Sequence, residues 1–228
     1  MITILHGDNT SKSREELVAL KSRLVGQEII ELPGTLTLTD FKQAMESQSL
    51  FAEKRTVIIE NFFSKRGQKK NDDVLTYLAK APHEIDVIIW EGKQIDGRKL
   101  LSFKKADIRA FKYDATMFQF LDSLRPGNAR AMIQLFHQTI QREAEDLVFF
   151  MLVRQTRLMF ALSVDAAIAE TTKMAPWQRS KVAGQARSFS PHQLQTLIQN
   201  LHGIDFARKR GKSALSLVQQ LDILLARL

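Results

Sequence analysis

Five short segments with strand character occur before residue 114, and no strand signal follows it. They are Ile2–Leu5, Glu28–Leu32, Arg55–Glu60, Ile85–Trp90 and Ile108–Tyr113. A short continuous apolar run such as Val57-Ile58-Ile59 suits a strand buried on both faces, as in a parallel sheet. Between them lie stretches of helical period. Ser13–Leu24 places Leu17, Val18, Leu20 and Leu24 at helical spacing, and Thr39–Ser47 and Val74–Leu78 also read as helices. Pro33-Gly34 ends the second strand. Thr37 and Asp40 have capping-box spacing, with Asp in place of the usual longer acid or amide. Strands alternating with helices predict a parallel sheet with helices on both faces. The stretch Ser64–Asn71 carries four basic residues and no large apolar one, and reads as a mobile exposed loop.

From about Asp114 onward the pattern is helical. Met117–Leu124 stops at Pro126-Gly127, and Asn128 is placed to cap Ala129–Ile140. Leu147–Leu162 is apolar on most faces, which predicts a central bundle helix. Pro176 and Pro191 sit where a first helical residue belongs. Ser190-Pro191-His192-Gln193 combines a capping Ser, a Pro and a Gln three residues on. A last helix is expected over Ser213–Leu228, with Leu217, Val218, Leu221, Leu224, Leu225 and Leu228 on its stripe. Six helices without strands make a helical domain. The chain thus divides into an α/β domain, 1–114, and an all-α domain, 115–228.

The charge is uneven as well. Residues 1–114 hold 19 Lys and Arg against 17 Asp and Glu, whereas 115–228 hold 14 against 8. A basic second half suits phosphates or acidic protein surfaces. The plainer reading is a solvated basic face. With no cysteine, disulfides, zinc knuckles and thiol catalysis are excluded. The five histidines, His6, His83, His137, His192 and His202, form no metal-ligand spacing, so no metal is expected. No apolar run is long enough to cross a bilayer, and the first residues lack the pattern of a signal peptide. No membrane partner is therefore expected.

His6-Gly7-Asp8-Asn9-Thr10-Ser11-Lys12-Ser13 follows a strand and opens a helix, where a phosphate-binding loop belongs. Gly7, Lys12 and Ser13 match such a loop in part. His6 and Ser11 occupy its two glycine positions, and side chains there obstruct the approach of phosphate to backbone amides. The strand Val57-Ile58-Ile59 ends in Glu60-Asn61, so the usual acidic pair is incomplete. The expectation is a P-loop scaffold that is inactive and holds no cofactor.

Ser49-Leu50-Phe51, followed by Arg55-Thr56-Val57-Ile58-Ile59, resembles a signature of the DNA polymerase III delta subunit family. Met117–Leu124, Leu152–Leu158, Ala186–Ser190 and Asp205–Gly211 resemble that family's helical collar, in order along the chain. The resemblance implies an AAA+-like (P-loop NTPase-like) domain that holds the sliding clamp, and a collar that joins a clamp loader. It implies a non-catalytic, cytoplasmic subunit whose partners are the clamp, the other loader subunits and, through the complex, primed DNA. Leu50 and Phe51, with Ser49, are the expected clamp contacts. Arg154, Arg157, Arg208, Lys209 and Arg210 are the expected assembly or DNA contacts. Two departures stand out. Lys112-Tyr113-Asp114 runs almost directly into Met117, without the family's small helical lid, and Glu46 stands where a Gln often precedes the Leu-Phe pair. Two rival readings stay open: a divergent P-loop NTPase using Lys12 and Ser13, and a stand-alone DNA-binding module using the basic half.

Overall fold

The computed structural model describes residues 1–46, 54–64, 69–80 and 85–228; of 69–72 and 79–80 it describes the backbone alone. The chain forms two units, Met1–Tyr113 and Asp114–Leu228. Asp114, assigned to the first half by sequence, goes with the second. Its carboxylate caps the next helix, accepting from the Thr116 amide at 2.9 Å and the Thr116 hydroxyl at 2.7 Å.

In the first unit the described strands are β1 (Ile2–His6), β2 (Glu28–Pro33), β3 (Arg55–Glu60), β4 (Asp86–Trp90) and β5 (Asp107–Ala110). They make one sheet in the order β2-β3-β4-β1-β5, and every pairing is parallel. Parallel neighbours need crossovers, and the helices supply them. These are α1 (Thr10–Arg23), α2 (Leu38–Glu46), α3 (Lys69–Lys80) and α4 (Gly97–Leu100), the last running into a 3₁₀ turn at Leu101–Phe103. Side chains alternate across the sheet. Ile4, Val57, Ile59, Val87 and Ile89 face Phe41, Met45, Val74 and Leu78 of α2 and α3. Leu5, Ile58, Ile88 and Trp90 face Leu17 of α1. Both faces are covered over β1, β3 and β4, which is why these strands are mostly buried and apolar, whereas the edge strands β2 and β5 alternate half-buried and exposed residues.

The local signals act as expected at α2. The Asp40 carboxylate accepts from the Thr37 amide at 2.9 Å, and the Asp40 amide donates back to the Thr37 hydroxyl at 3.1 Å. Two expectations need correcting. The stretch Ser64–Asn71 is not wholly a loop, because α3 begins at Lys69; residues 65–68 lie outside the described set. The strand expected over Ile108–Tyr113 ends at Ala110.

Among the described residues the second unit has seven helices: α5 (Ala115–Asp122), α6 (Ala129–Ile140), α7 (Glu145–Ser163), α8 (Ala169–Thr172), α9 (Pro176–Ala186), α10 (Pro191–Lys209) and α11 (Leu217–Ala226). The single turn α8 is the one the sequence reading lacks. Its core joins Met117, Phe120, Phe136, Leu152, Leu197 and Leu221, so α5, α6, α7, α10 and α11 share one interior. Ser190 and Gln193 form the expected capping box at α10 (3.1 and 2.8 Å). Asn128 does not cap with its side chain. Its amide nitrogen donates instead to the Ser123 carbonyl at 2.8 Å, closing the turn before α6. The last helix starts later than expected, at Leu217, because Ser216 and Gln219 form a capping box there. Residues 111–114 alone separate β5 from α5, and no small helical lid stands between them.

Candidate functional site

The loop after β1 is three residues long, Gly7 to Asn9, because Asn9 starts α1 early. Its side-chain oxygen accepts from the Lys12 amide at 3.1 Å. Ser11 and Lys12 therefore lie in the first helical turn instead of a phosphate-wrapping loop. Several of the amides such a loop would turn toward an anion are committed inside the protein. Gly7 donates to the Lys93 carbonyl, Asn9 to Phe111, Thr10 to Asp8 and Ser13 to Asn9, at 3.0–3.2 Å. The Ser13 side chain is fully buried. Its hydroxyl donates to the Thr10 carbonyl at 3.0 Å and accepts from the Trp90 indole at 3.2 Å. A hydroxyl held this way does not face a metal–phosphate site.

The acid at the end of β3 is engaged as well. Glu60 takes a two-point contact from Arg14, at 2.6 and 3.0 Å, and the Arg14 guanidinium lies 3.9 Å over the Trp90 ring. The turn that follows is held by Asn61 in left-handed backbone (φ 59°), whose side chain accepts from the Gly92 amide. Beyond it, buried Glu91 accepts from the Phe63 amide at 2.7 Å and from the Ser64 hydroxyl.

His6 stands at the first glycine position of the nucleotide pattern and is almost wholly buried. Its Nδ1 accepts from the Ile95 amide at 3.2 Å. Burial holds its pKa below the usual imidazole value, with Lys112 acting in the same direction and Asp8 against it. The sign follows directly. Above the unfolded-state value the ring is neutral in both states. As pH falls through and below that value, the unfolded chain takes up a proton that the folded chain resists, so stability is lost. The melting temperature of the first unit is expected to fall between pH 7 and pH 5, and the fall should be shallower in His6→Gln. Equal slopes in the two proteins would remove His6 as the cause.

Ser49, Leu50 and Phe51 lie outside the described residues, but both borders of their segment are held. On α2, Phe41, Ala44 and Met45 form the buried face, as their spacing predicts. At the start of β3, nearly buried Arg55 donates to Glu28 at 2.8 Å and to the Ala44 carbonyl at 3.2 Å. One side chain thus ties the end of α2 to the strand after the segment.

The five basic residues expected as assembly or DNA contacts form two groups. Arg154 and Arg157, one turn apart on α7, share Glu170, each at 3.2 Å. Arg208 reaches Asp146 at 2.7 Å, Lys209 reaches Asp205 at 2.7 Å, and Arg210 lies 4.2 Å over the Phe206 ring. Arg157 and Arg208 line one groove between α7 and α10. The groove also holds a residue that sequence reasoning passed over, Phe150, which is 59% exposed. Its signal was present: a helix apolar on most faces has one apolar face too many for its bundle.

Among the described residues no group of three or more His, Asp or Glu side chains could hold a metal ion, and no helix is long and apolar enough to cross a membrane.

A wholly parallel α/β unit with a closed loop at the head of α1, followed by an all-helical unit, has the layout of an AAA+-like chain with an appended helical domain. Residues 114–226 match the family model of the DNA polymerase III delta subunit, C-terminal domain. The match spans the second unit but for its last two residues, and through it this unit belongs to the delta subunit family. The chain is similar in structure to the Bacillus subtilis DNA clamp loader delta protein, with 15% identity, 98% of this chain and 94% of that chain covered, and a TM-score of 0.46. It is also similar to a DNA polymerase III gamma subunit-related protein from Thermotoga maritima, with 12% identity, 99% and 93% covered, and a TM-score of 0.33. These likenesses carry none of the assignment, which rests on the family match. No curated protein matches the sequence.

Proposed function

We propose that this chain is a non-catalytic subunit of a replication clamp loader. In this reading residues 1–114 bind the DNA sliding clamp and help to open it, with Leu50 and Phe51 as the contacts. Residues 115–228 join the other loader subunits, and the complex as a whole reaches primed DNA in the cytoplasm. The observation that carries the non-catalytic part is the burial of the Ser13 hydroxyl against Trp90, which fills the place of a nucleotide's metal ligand. The match of the second unit to the delta subunit family supports the rest. The test is direct. The full chain should co-elute with a purified bacterial sliding clamp and with loader subunits mixed from pure stocks. Failure to bind the clamp, with loader assembly intact, would leave an assembly subunit and remove the clamp-binding role.

The rival NTPase reading meets the closed loop. Calorimetry with Mg-ATP at millimolar concentration should show no binding heat, and Lys12→Ala should behave as the parent does. Micromolar affinity, with turnover that vanishes in Lys12→Ala, would overturn the non-catalytic reading. The DNA-module reading predicts strongly salt-dependent DNA binding by the chain alone, because such binding releases counterions from the phosphates.

A further inference from the structure

Arg55 opens β3 with a charged side chain that is only 6% exposed. Taking a guanidinium out of water is costly, and a well-packed apolar residue often serves stability as well. Its contacts show what the charge does here. Nε and Nη2 both reach the Glu28 carboxylate, at 2.8 and 2.7 Å, and Nη1 donates to the Ala44 carbonyl at 3.2 Å. Glu28 is the register partner of Arg55 across β2 and β3, so that half of the contact joins two strands. The other half leaves the sheet. Ala44 lies in the last turn of α2, where a helix leaves carbonyls without amide partners and favours a positive charge. That turn holds no basic residue of its own, and Arg55 supplies the charge from eleven residues further on.

A chain of eleven residues can reach about 36 Å at about 3.3 Å per residue. The guanidinium brings its two ends into contact. A second tie holds the same border: the Tyr77 hydroxyl donates to Glu46, the last residue of α2, at 3.2 Å. On the far side, the Glu28 amide donates to the Lys54 carbonyl at 3.0 Å, just before β3. Side chains and backbone of β2, β3 and α3 thus fix both borders of the stretch that contains Leu50 and Phe51.

We infer that Arg55 is a positioning residue for clamp binding: its fork holds the end of α2 against the start of β3, and Leu50 and Phe51 meet the clamp from a frame already closed. The inference rests on the clamp-binding reading. A frame closed before the partner arrives lowers the cost of ordering on association. Lysine is no substitute, because one ammonium lacks the rigid fork that spans the Glu28 carboxylate and the Ala44 carbonyl together.

The experiment measures clamp affinity and thermal melting of the full chain as parent, as Arg55→Lys, as Leu50→Ala/Phe51→Ala, and as all three changes combined. Arg55→Lys should weaken clamp binding about tenfold by loosening the frame. With Leu50 and Phe51 already replaced, the same change should weaken it less than about twofold, because no apolar pair is left to present. A merely structural arginine would lower the melting temperature and weaken clamp binding by the same factor in both backgrounds. Lys21→Gln, which removes the ion pair from α1 to Glu31, should leave clamp affinity unchanged. Should Arg55→Lys fail to fold, Glu28→Gln keeps the guanidinium, removes the charge that anchors it, and is compared in the same two backgrounds. Equal factors in the two backgrounds, or parent-like affinity in the folded variant, overturn the inference and leave the clamp-binding reading standing. So does a loss of affinity in Lys21→Gln as large as that in Arg55→Lys. A parent chain that does not bind the clamp removes that reading, and the role of Arg55 with it.

Discussion

Replacing Gly7 by alanine is expected to destabilise the first unit by about 3 kcal/mol or more. Two independent features set that figure. Gly7 has φ 137°, a backbone conformation that side chains disfavour. A β-carbon there would also lie 1.9 Å from the Phe111 carbonyl oxygen. That carbonyl cannot readily withdraw, because it accepts from the Asn9 amide at 3.1 Å while the Phe111 amide donates to His6 at 2.7 Å. The clash is therefore with fixed backbone and not with a side chain that can swing aside. Urea unfolding followed by hydrogen exchange should show β1 and α1 losing protection first, with the second unit unaffected. Gly97→Ala is the control: nothing lies within 4 Å of its added β-carbon, and it should melt as the parent does. A Gly7→Ala chain as stable as its parent would mean that the loop can back away from Phe111. A loop with that freedom could also admit a phosphate, and the non-catalytic reading would weaken with it.

The parts of the fold legible in the sequence are those set by local chemistry. Arg55–Glu60 is a strand over its whole expected length, because a continuous apolar run bounded by charge has few other places to go. Pro33-Gly34 and the Thr37–Asp40 box mark the passage from β2 to α2 for equally local reasons. Where residues are charged, the helix signal fades, and the start of α3 at Lys69 is missed. The nucleotide-like loop was legible as a damaged pattern, but not as a closed one. Its closure depends on Trp90, 77 residues from Ser13, which the parallel pairing of β1 with β4 brings alongside. The same holds in the second unit. Arg154 and Arg157 could be picked out as basic residues, yet their shared Glu170 and the groove beside them arise from helix packing that no short window of sequence contains.

The double variant Leu50→Ala/Phe51→Ala is expected to lose the sliding clamp while keeping its melting temperature. The buried face of α2 is already occupied by Phe41, Ala44 and Met45, and Phe41 packs edge-on against Tyr77 at 5.9 Å between ring centroids. At about 100° per residue, a helix carried on through residue 51 would turn Leu50 away from the side of Phe41. Phe51 would then stand near the edge of the buried face. An apolar pair set off the core side fits a pocket on a partner. Burying each side chain is worth about 1.5–3 kcal/mol. Losing both should cost a hundredfold or more in affinity, since about 1.4 kcal/mol is tenfold. Arg55 makes the comparison sharper, because its bonds to Glu28 and to the Ala44 carbonyl hold the segment's borders and are untouched by the double variant. Equilibrium binding of the purified clamp, set beside a thermal melt of the same protein, distinguishes the two possible roles of the pair. Full clamp affinity with a melting temperature lowered by several degrees would make Leu50 and Phe51 a core plug folded back onto α2. The clamp contact would then have to be sought elsewhere on the first unit.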